Sequence, residues 1–177
     1  MFRPSLFREL LGPAFERLPE AIRRVHAGQP SAWFHGGCSI ERGRHWLARL
    51  SATLAGMPPA TAQVALRIEI AATGSGETWS RYFGDRPLRS RLSADQGLLV
   101  ERLGPLSITF QLEATEQQIR WTPRAGRVLG VCLPASFFKG VVASESMLDG
   151  RYHFDVQAAL PVIGLVIHYR GWLQTDV

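Results

Sequence analysis

Apolar and polar residues alternate through much of the last third of the chain, with the period of two that is typical of a β-strand. Two such stretches, residues 141–148 and 151–158, stand on either side of Asp149-Gly150. A type I′ turn needs a positive φ at both central residues, and Asp-Gly is among the pairs that adopt it most readily. The pattern therefore predicts a β-hairpin here and an antiparallel meander in the C-terminal half.

The same alternation upstream predicts a series of strands joined by short turns. It is clearest at residues 106–113, where apolar and polar positions exchange without interruption. The segment 162–173 is apolar on both faces, so we expect this strand to be central or covered on both sides. The other predicted strands cover residues 64–70, 77–83, 88–92, 98–103, 119–124 and 127–131.

Helical spacing is confined to the first third of the chain. Apolar residues recur every three or four positions through residues 5–26, and two prolines divide this segment into two short helices. A strand follows over residues 31–41, with a bulge predicted at Gly36-Gly37. A short helix is then predicted over residues 45–54.

These elements predict an α+β fold in a single domain, residues 1–177. Residues 1–30 form a helical segment, and residues 31–177 are mainly β with a short helix near residues 45–55. Because no helix separates the later strands, βαβ folds are excluded, and a sheet this large tends to curl or close. We expect a large curved antiparallel β-meander or barrel of eight to ten strands, with short N-terminal helices packed on it or plugging it.

The chain is basic, with a formal net charge of +5, but its charges are dispersed. Nineteen of the twenty basic residues are arginines, and many stand beside acids, as in Glu41-Arg42, Asp85-Arg86 and Glu101-Arg102. A nucleic-acid-binding face requires basic residues clustered on one surface. We therefore expect no nucleic-acid partner, whereas an anionic lipid surface or ligand stays compatible with the charge.

Other features of the sequence bear on the cellular location of the protein and on the cofactors that it could bind. No apolar run reaches the 18 residues of a transmembrane helix, and the N-terminus lacks the apolar region of a signal peptide. We expect a cytoplasmic protein, with contact between the amphipathic N-terminal helices and the inner-membrane surface as the alternative. Cys38 and Cys132 match no disulfide or metal spacing, and no nucleotide-binding motif occurs, so no cofactor or metal is expected.

Residues 77–83 carry the strongest candidate for chemistry. In a strand, Glu77, Trp79, Arg81 and Phe83 point to the same face. Because an isolated buried charge is costly, a carboxylate and a guanidinium on an internal face need each other or a ligand. One interpretation is a partly buried Glu77–Arg81 ion pair with Trp79 packed between them. The other is an anionic or polar head group held by Arg81.

Further residues complete the candidate ligand-binding set. Glu101 and Arg102 point to opposite sides of one strand, so only one of them can join this interior. Glu145 shares a face with apolar residues, so it either pairs with a neighbouring arginine or lines a cavity as a candidate acid or base. The aromatic Tyr169 is placed in the same interior. The complete set is Glu77, Trp79, Arg81, Phe83, Glu101, Glu145 and Tyr169.

Four segments taken together resemble one bacterial family of domains of unknown function, DUF4166. They read ETWSRYFG at 77–84, ERLGP at 101–105, LP at 133–134 and YRGWL at 169–173, and the similarity runs from about residue 18 to residue 173. The resemblance implies a domain that occurs alone or appended to saccharopine-dehydrogenase-like, NAD(P)-binding or membrane-associated proteins. An NAD(P)-dependent reductase on another chain is therefore an implied partner. No catalytic residue carries over.

Three functions remain open at this point. The favoured one is a binding module whose barrel holds an apolar or amphipathic, lipid-like small molecule. The second is an enzyme or enzyme accessory that uses Glu145 or Glu77 as acid or base and Arg81 to stabilise negative charge. The third is a peripheral-membrane or protein-interaction domain whose sheet interior is filled and holds no ligand. Whether the protein is an enzyme stays undecided by the sequence.

Overall fold

The computed structural model describes residues 5–175, and these residues form a closed antiparallel β-barrel with short helices packed against it. The α-helices are α1 (Leu6–Leu11), α2 (Glu20–Val25) and α3 (Trp46–Leu54), and 3₁₀ helices cover Gly12–Arg17 and Ala135–Phe138. Within residues 5–175, no helix combines the length and the hydropathy that crossing a bilayer requires.

Eleven strands make up the sheet in the described part of the chain. Ten of them close into a ring in the order β1 to β7, then β9, β10 and β11, because β6 pairs with β7 and β11 pairs with β1. The predicted barrel of eight to ten strands is thus confirmed, with β8 as one additional strand beside β7. The strands are β1 (Ala32–Arg42), β2 (Thr61–Thr73), β3 (Gly76–Phe83), β4 (Arg86–Asp95), β5 (Leu98–Leu103), β6 (Leu106–Ala114), β7 (Gln118–Val128), β8 (Val131–Leu133), β9 (Gly140–Leu148), β10 (Arg151–Leu160) and β11 (Gly164–Gln174).

The hairpin predicted at Asp149-Gly150 forms as expected. Leu148 pairs with Arg151, and the two turn residues between them have φ values of 50° and 74°. Both angles are positive, as a type I′ turn requires. The turn therefore sets the register in which β9 and β10 face each other, and with it the direction of every side chain on these strands.

The bulge predicted at Gly36-Gly37 is wrong in position. Both glycines pair in regular register with β2 and β11, and the register shifts instead between Cys38 and Ile40. Gly36 is required for a different reason, because a Cβ added there would lie 1.8 Å from the carbonyl oxygen of Trp172. Close approach of two strands, and not an extra residue, explains this glycine.

The N-terminal segment plugs one end of the barrel, as predicted. The first helix contacts β4 and β6, and α2 contacts β9 and β10. The segment is anchored at this end, since Ala72 N–H near the end of β2 donates to the carbonyl of Gln29, and Arg24 donates to the carbonyl of Thr175. Its apolar side chains are buried in the main core: Leu6, Phe7, Phe15, Leu18, Ile22 and Val25. We call this the plugged end, and the opposite one the open end.

The third helix lies on the outer side of the barrel wall. Its small residues Ala48 and Ala52 are fully buried in one cluster with Val166 of β11. This contact covers the outer face of β11 at Val166, but Arg170 further along that face is exposed, so β11 is covered on both sides only near its start. The helix belongs to the β1–β2 connection, so it reaches the open end.

The wall between β7 and β9 is widened at one end by additional elements. Strand β7 pairs with β9 only from Gln118 to Trp121. Further along, β8 takes the place beside β7, and Phe138 packs so closely on Gly126 that a Cβ there would lie 2.3 Å from its ring. An additional strand and a 3₁₀ helix therefore fill the wall near the open end.

Replacing Gly150 with alanine tests the role of the hairpin turn. We expect Gly150→Ala to lower the free energy of unfolding by about 1 kcal/mol, because an L-residue is disfavoured at positive φ. Urea unfolding followed by tryptophan fluorescence measures this change. In the same turn, Asp149→Asn should be nearly neutral, since asparagine tolerates the left-handed region. Equal effects of the two variants would contradict the assignment of the strain to Gly150.

Candidate functional site

A cavity of about 680 Å³ occupies the interior of the barrel. Its walls are mostly apolar and aromatic side chains from the strands. Leu54, Pro105, Leu129 and Val142 line it and are also exposed to solvent, so the cavity opens at the open end. Its polar lining residues include Arg81, Glu145 and Tyr152, which are buried. The exposed rim of the cavity is therefore apolar, whereas its charged and phenolic side chains belong mainly to its buried lining.

Arg81 is the central polar group of this wall. Its Nη1 donates to Ser90 Oγ at 2.9 Å, and its Nη2 lies 3.3 Å from Glu101 Oε1. Ser90 is on β4, between the strands that carry Arg81 and Glu101, so the guanidinium reaches across one strand to its carboxylate partner. The guanidinium carbon also lies 4.9 Å from the centre of the Trp79 ring, which adds a cation–π contact.

The charge on Arg81 is maintained despite its burial. Burial lowers the pKa of the guanidinium, but Tyr169 and Glu101 more than offset this, so its pKa lies above the usual value. Burial raises the pKa of Tyr169 to about 12, so this phenol is neutral and can donate a hydrogen bond. Together Arg81 and Glu101 form an ion pair with no net charge in the cavity wall.

The Glu77–Arg81 ion pair proposed from the sequence does not form. Glu77 Oε2 accepts a hydrogen bond of 2.9 Å from Trp79 Nε1, while Arg81 pairs with Glu101. The reason is geometric, because residues four apart in a strand are separated by about 13 Å, whereas in a helix they are neighbours. Burial raises the pKa of Glu77 above its usual value of 4.5, and the Trp79 hydrogen bond opposes this only in part.

Glu145 is held by a histidine and not by the arginine that the sequence suggested. His26, at the end of α2, donates from Nε2 to Glu145 Oε2 at 2.5 Å, and both residues are buried. Tyr152 lies on the adjacent strand, and burial together with its hydrogen bond to Glu145 raises its pKa well above the usual range. The Tyr152 hydroxyl therefore stays protonated and donates to Glu145 at the cavity wall.

An aromatic cluster covers this polar group on the side of the plug. Phe7 of α1 stacks on His26 with ring centres 3.6 Å apart, and the Trp79 and Trp121 rings lie 6.1 and 5.7 Å from Phe7. Within the described residues, three buried polar atoms next to this cluster have no hydrogen-bond partner: His26 Nδ1, Glu77 Oε1 and Trp121 Nε1. The base of the barrel thus has unused hydrogen-bonding capacity.

Six of the seven candidate residues meet at the cavity. The one that does not line it is Glu77, which is buried beside Trp79. Glu101 faces inward and Arg102 is exposed, as the alternation requires. The six that line the cavity are Trp79, Arg81, Phe83, Glu101, Glu145 and Tyr169.

Two residues of the site were missed by sequence reasoning. His26 lies four residues after Ile22 and eight after Leu18, so it continues the buried face of the N-terminal helices, and this spacing could have identified it. Tyr152 alternates with Phe154 and Val156 on the inner face of β10, a signal that was present in the predicted hairpin.

Metal ligands do not cluster in the described part of the chain. Among residues 5–175, no group of three or more histidine, cysteine, aspartate or glutamate side chains could hold a metal ion.

The raised pKa of Glu77 predicts a specific pH dependence. A carboxyl whose pKa is higher in the folded than in the unfolded protein stabilises the fold below the unfolded pKa, and this contribution is lost as the pH rises through the folded pKa. Glutamine is neutral at every pH. We therefore expect the stability of Glu77→Gln, relative to the unchanged protein, to increase from pH 4 to pH 8. Urea unfolding across this range measures the difference, and Glu116→Gln, at an exposed turn, is the control. A difference that does not vary with pH would contradict a raised pKa.

Comparison with known proteins places the chain in a family. Residues 18–173 match the family described as Domain of unknown function (DUF4166). No curated protein matches the chain. Among solved structures, the crystal structure of Rv2717c from M. tuberculosis is similar with a TM-score of 0.46 and 13% sequence identity, over 90% of this chain and 99% of that chain. Since the family match spans most of the sequence, the protein belongs to the DUF4166 family.

Proposed function

We propose that this protein is a binding module for an amphipathic, lipid-like small molecule. The observation that carries the proposal is the interior cavity of about 680 Å³, whose exposed rim is apolar and whose buried lining carries Arg81 and other polar groups. The apolar part of the ligand would lie toward the open end, and its polar group would lie beside Arg81 and Glu101.

The size and lining of the cavity support a small molecule of this kind. Ligand sites typically have volumes of about 300–1,000 Å³ and combine apolar walls with a few placed polar groups. Phe83, Phe110 and Phe154 line the cavity wall, so these aromatics surround the space instead of filling it. This arrangement weakens the alternative of a filled interior without a ligand site.

The Arg81–Glu101 pair favours an uncharged polar group over an anion. An anionic head group near Arg81 would have to approach Glu101, which lies 3.3 Å from the guanidinium. A hydroxyl, carbonyl or ester oxygen can instead accept from Arg81 or Tyr169 without displacing that carboxylate. We therefore infer a neutral head group, such as that of an alcohol, ketone or ester.

The same geometry weakens the enzyme alternative. The carboxyl with a raised pKa is Glu77, and it is buried beside Trp79, outside the cavity lining. Glu145 does line the cavity, but His26 occupies one of its oxygens. An acid–base role would require one of these carboxylates to be free and next to the substrate.

Filling the cavity tests the proposal directly. Ala143 lies on the inner face of β9 and lines the cavity, so we expect Ala143→Phe to remove binding of a fluorescent, environment-sensitive fatty-acyl probe while the barrel stays folded. Ala65 is exposed on β2, and Ala65→Phe is the matched control that adds the same ring outside. Fluorescence titration and native mass spectrometry report binding, and circular dichroism reports folding. Equal binding by both variants would contradict an interior site.

The polar contact can be tested separately. Arg81→Met alone would leave Glu101 buried without its partner, so the double change Arg81→Met with Glu101→Gln is used. We expect this variant to bind dodecanol about fivefold more weakly, which corresponds to the loss of one hydrogen bond, and to bind dodecane unchanged. Displacement of the fluorescent probe by each compound measures the two affinities. An equal loss for both compounds would show that the pair shapes the cavity without contacting a head group.

A further inference from the structure

The helix α3 presents an apolar stripe to solvent. Its small residues face the barrel, whereas Trp46, Leu50 and Leu54, spaced four residues apart, are 67%, 47% and 69% exposed. Residues at this spacing lie on one face of a helix. The helix thus has two apolar faces, and only the one with alanines is covered by the described residues.

This stripe continues around the mouth of the cavity. Leu54 itself lines the cavity, as do the exposed Leu129 in the β7–β8 turn and Val142 of β9. The exposed Val131 and Val162 lie in or next to the turns of the same end. Seven of the nine large hydrophobic side chains exposed within residues 5–175 are therefore at the open end. A concentration of this kind marks an interaction surface, because scattered apolar residues would be distributed over both ends.

Basic residues accompany the apolar ones. The connections at the open end contain the exposed Arg44, Arg49 and Lys139 against a single acid, Asp85. Lys139 is the only lysine of the chain. At the plugged end, the segment 5–31 and the strand-to-strand turns carry four basic residues against five acids. The surface that is apolar is thus also the one that attracts anions.

We propose that the open end docks on the surface of an anionic lipid bilayer, with the stripe of α3 and the rim of the cavity in contact with the lipid. A helix that carries tryptophan and leucine on one face and arginine beside it is typical of an interfacial membrane helix. Basic residues near an anionic surface add an electrostatic attraction that salt weakens. The N-terminal helices, which the sequence suggested for this role, are excluded because their apolar faces are buried in the plug.

The position of this surface links membrane docking to ligand exchange. Because the docking face surrounds the mouth, a lipid-like ligand can pass between the bilayer and the cavity without crossing water. This link rests on the proposed ligand-binding function, whereas docking itself depends only on the exposed residues and their charges.

Vesicle co-sedimentation with the full chain tests the docking surface. We expect binding to vesicles of phosphatidylglycerol and phosphatidylcholine, weaker binding at high salt, and little binding to phosphatidylcholine alone. Leu54→Ser should reduce the partition coefficient by about tenfold, the effect of withdrawing one leucine side chain from an apolar environment. Leu148→Ser is the matched control, since Leu148 is 57% exposed at the plugged end. The double change Arg44→Gln with Lys139→Gln should reduce binding to the anionic vesicles only.

The outcomes separate docking from ligand binding. Absence of vesicle binding, or equal losses for Leu54→Ser and Leu148→Ser, would overturn the docking proposal even if the fatty-acyl probe still enters the cavity. Equal binding to neutral and anionic vesicles would overturn the charge requirement and with it the anionic surface. Docking that persists in Ala143→Phe, which cannot hold the probe, would support the surface while leaving the cavity to its own test.

Discussion

The buried contact between His26 and Glu145 determines how the two parts of this protein fit together. One partner belongs to the N-terminal helices and the other to the barrel wall, and neither is exposed to solvent. Loss of the plug would take one of two hydrogen-bond partners from the buried Glu145 and leave it only Tyr152, so this contact favours one position of the plug. With that end closed, the interior communicates with solvent at the other end. This contact therefore helps to determine which end of the cavity is closed and which end is its mouth.

The mouth of the barrel therefore differs from the rest of it in two respects. Inside, arginine, glutamate and tyrosine belong mainly to the buried lining, and the lining residues exposed at the mouth are apolar. Outside, exposed leucines, valines and basic residues surround the same mouth, and acids are more frequent at the plugged end. Closure of the sheet makes this possible. In a closed barrel the strands pair around the ring and leave no sheet edge to be covered, so one end can stay open for function.

The fold was largely predictable from the sequence because its rules are local. Alternation assigns the faces of each strand, and Asp149-Gly150 determines one turn and its register. The inward direction of Arg81 and Glu101 follows in the same way. The helix α3 was likewise predictable from the spacing of its apolar residues, whereas the coverage predicted for β11 holds only near its start. At Gly36 the sequence suggested a β-bulge, whereas the structure shows that this glycine is required by the close approach of Trp172.

The partners of the polar groups could not be predicted, because they depend on contacts between distant segments. Arg81 meets a carboxylate two strands away, at a position that the turns of β4 and β5 determine. Glu145 meets a histidine 119 residues earlier in the chain. Periodicity states which way a side chain points but not which strand or helix lies opposite. For that reason the candidate residues were mostly the correct ones, while the pairs assigned to them were not.

The added strand β8 has a consequence for the shape of the interior. Near the plugged end, β7 and β9 are direct neighbours, whereas near the mouth β8 and the 3₁₀ helix lie between them. The circumference of the wall is therefore larger at the mouth, and the barrel resembles a funnel more than a cylinder. A guest with one slender end and one bulky end would fit in a single orientation, with the slender end inserted first.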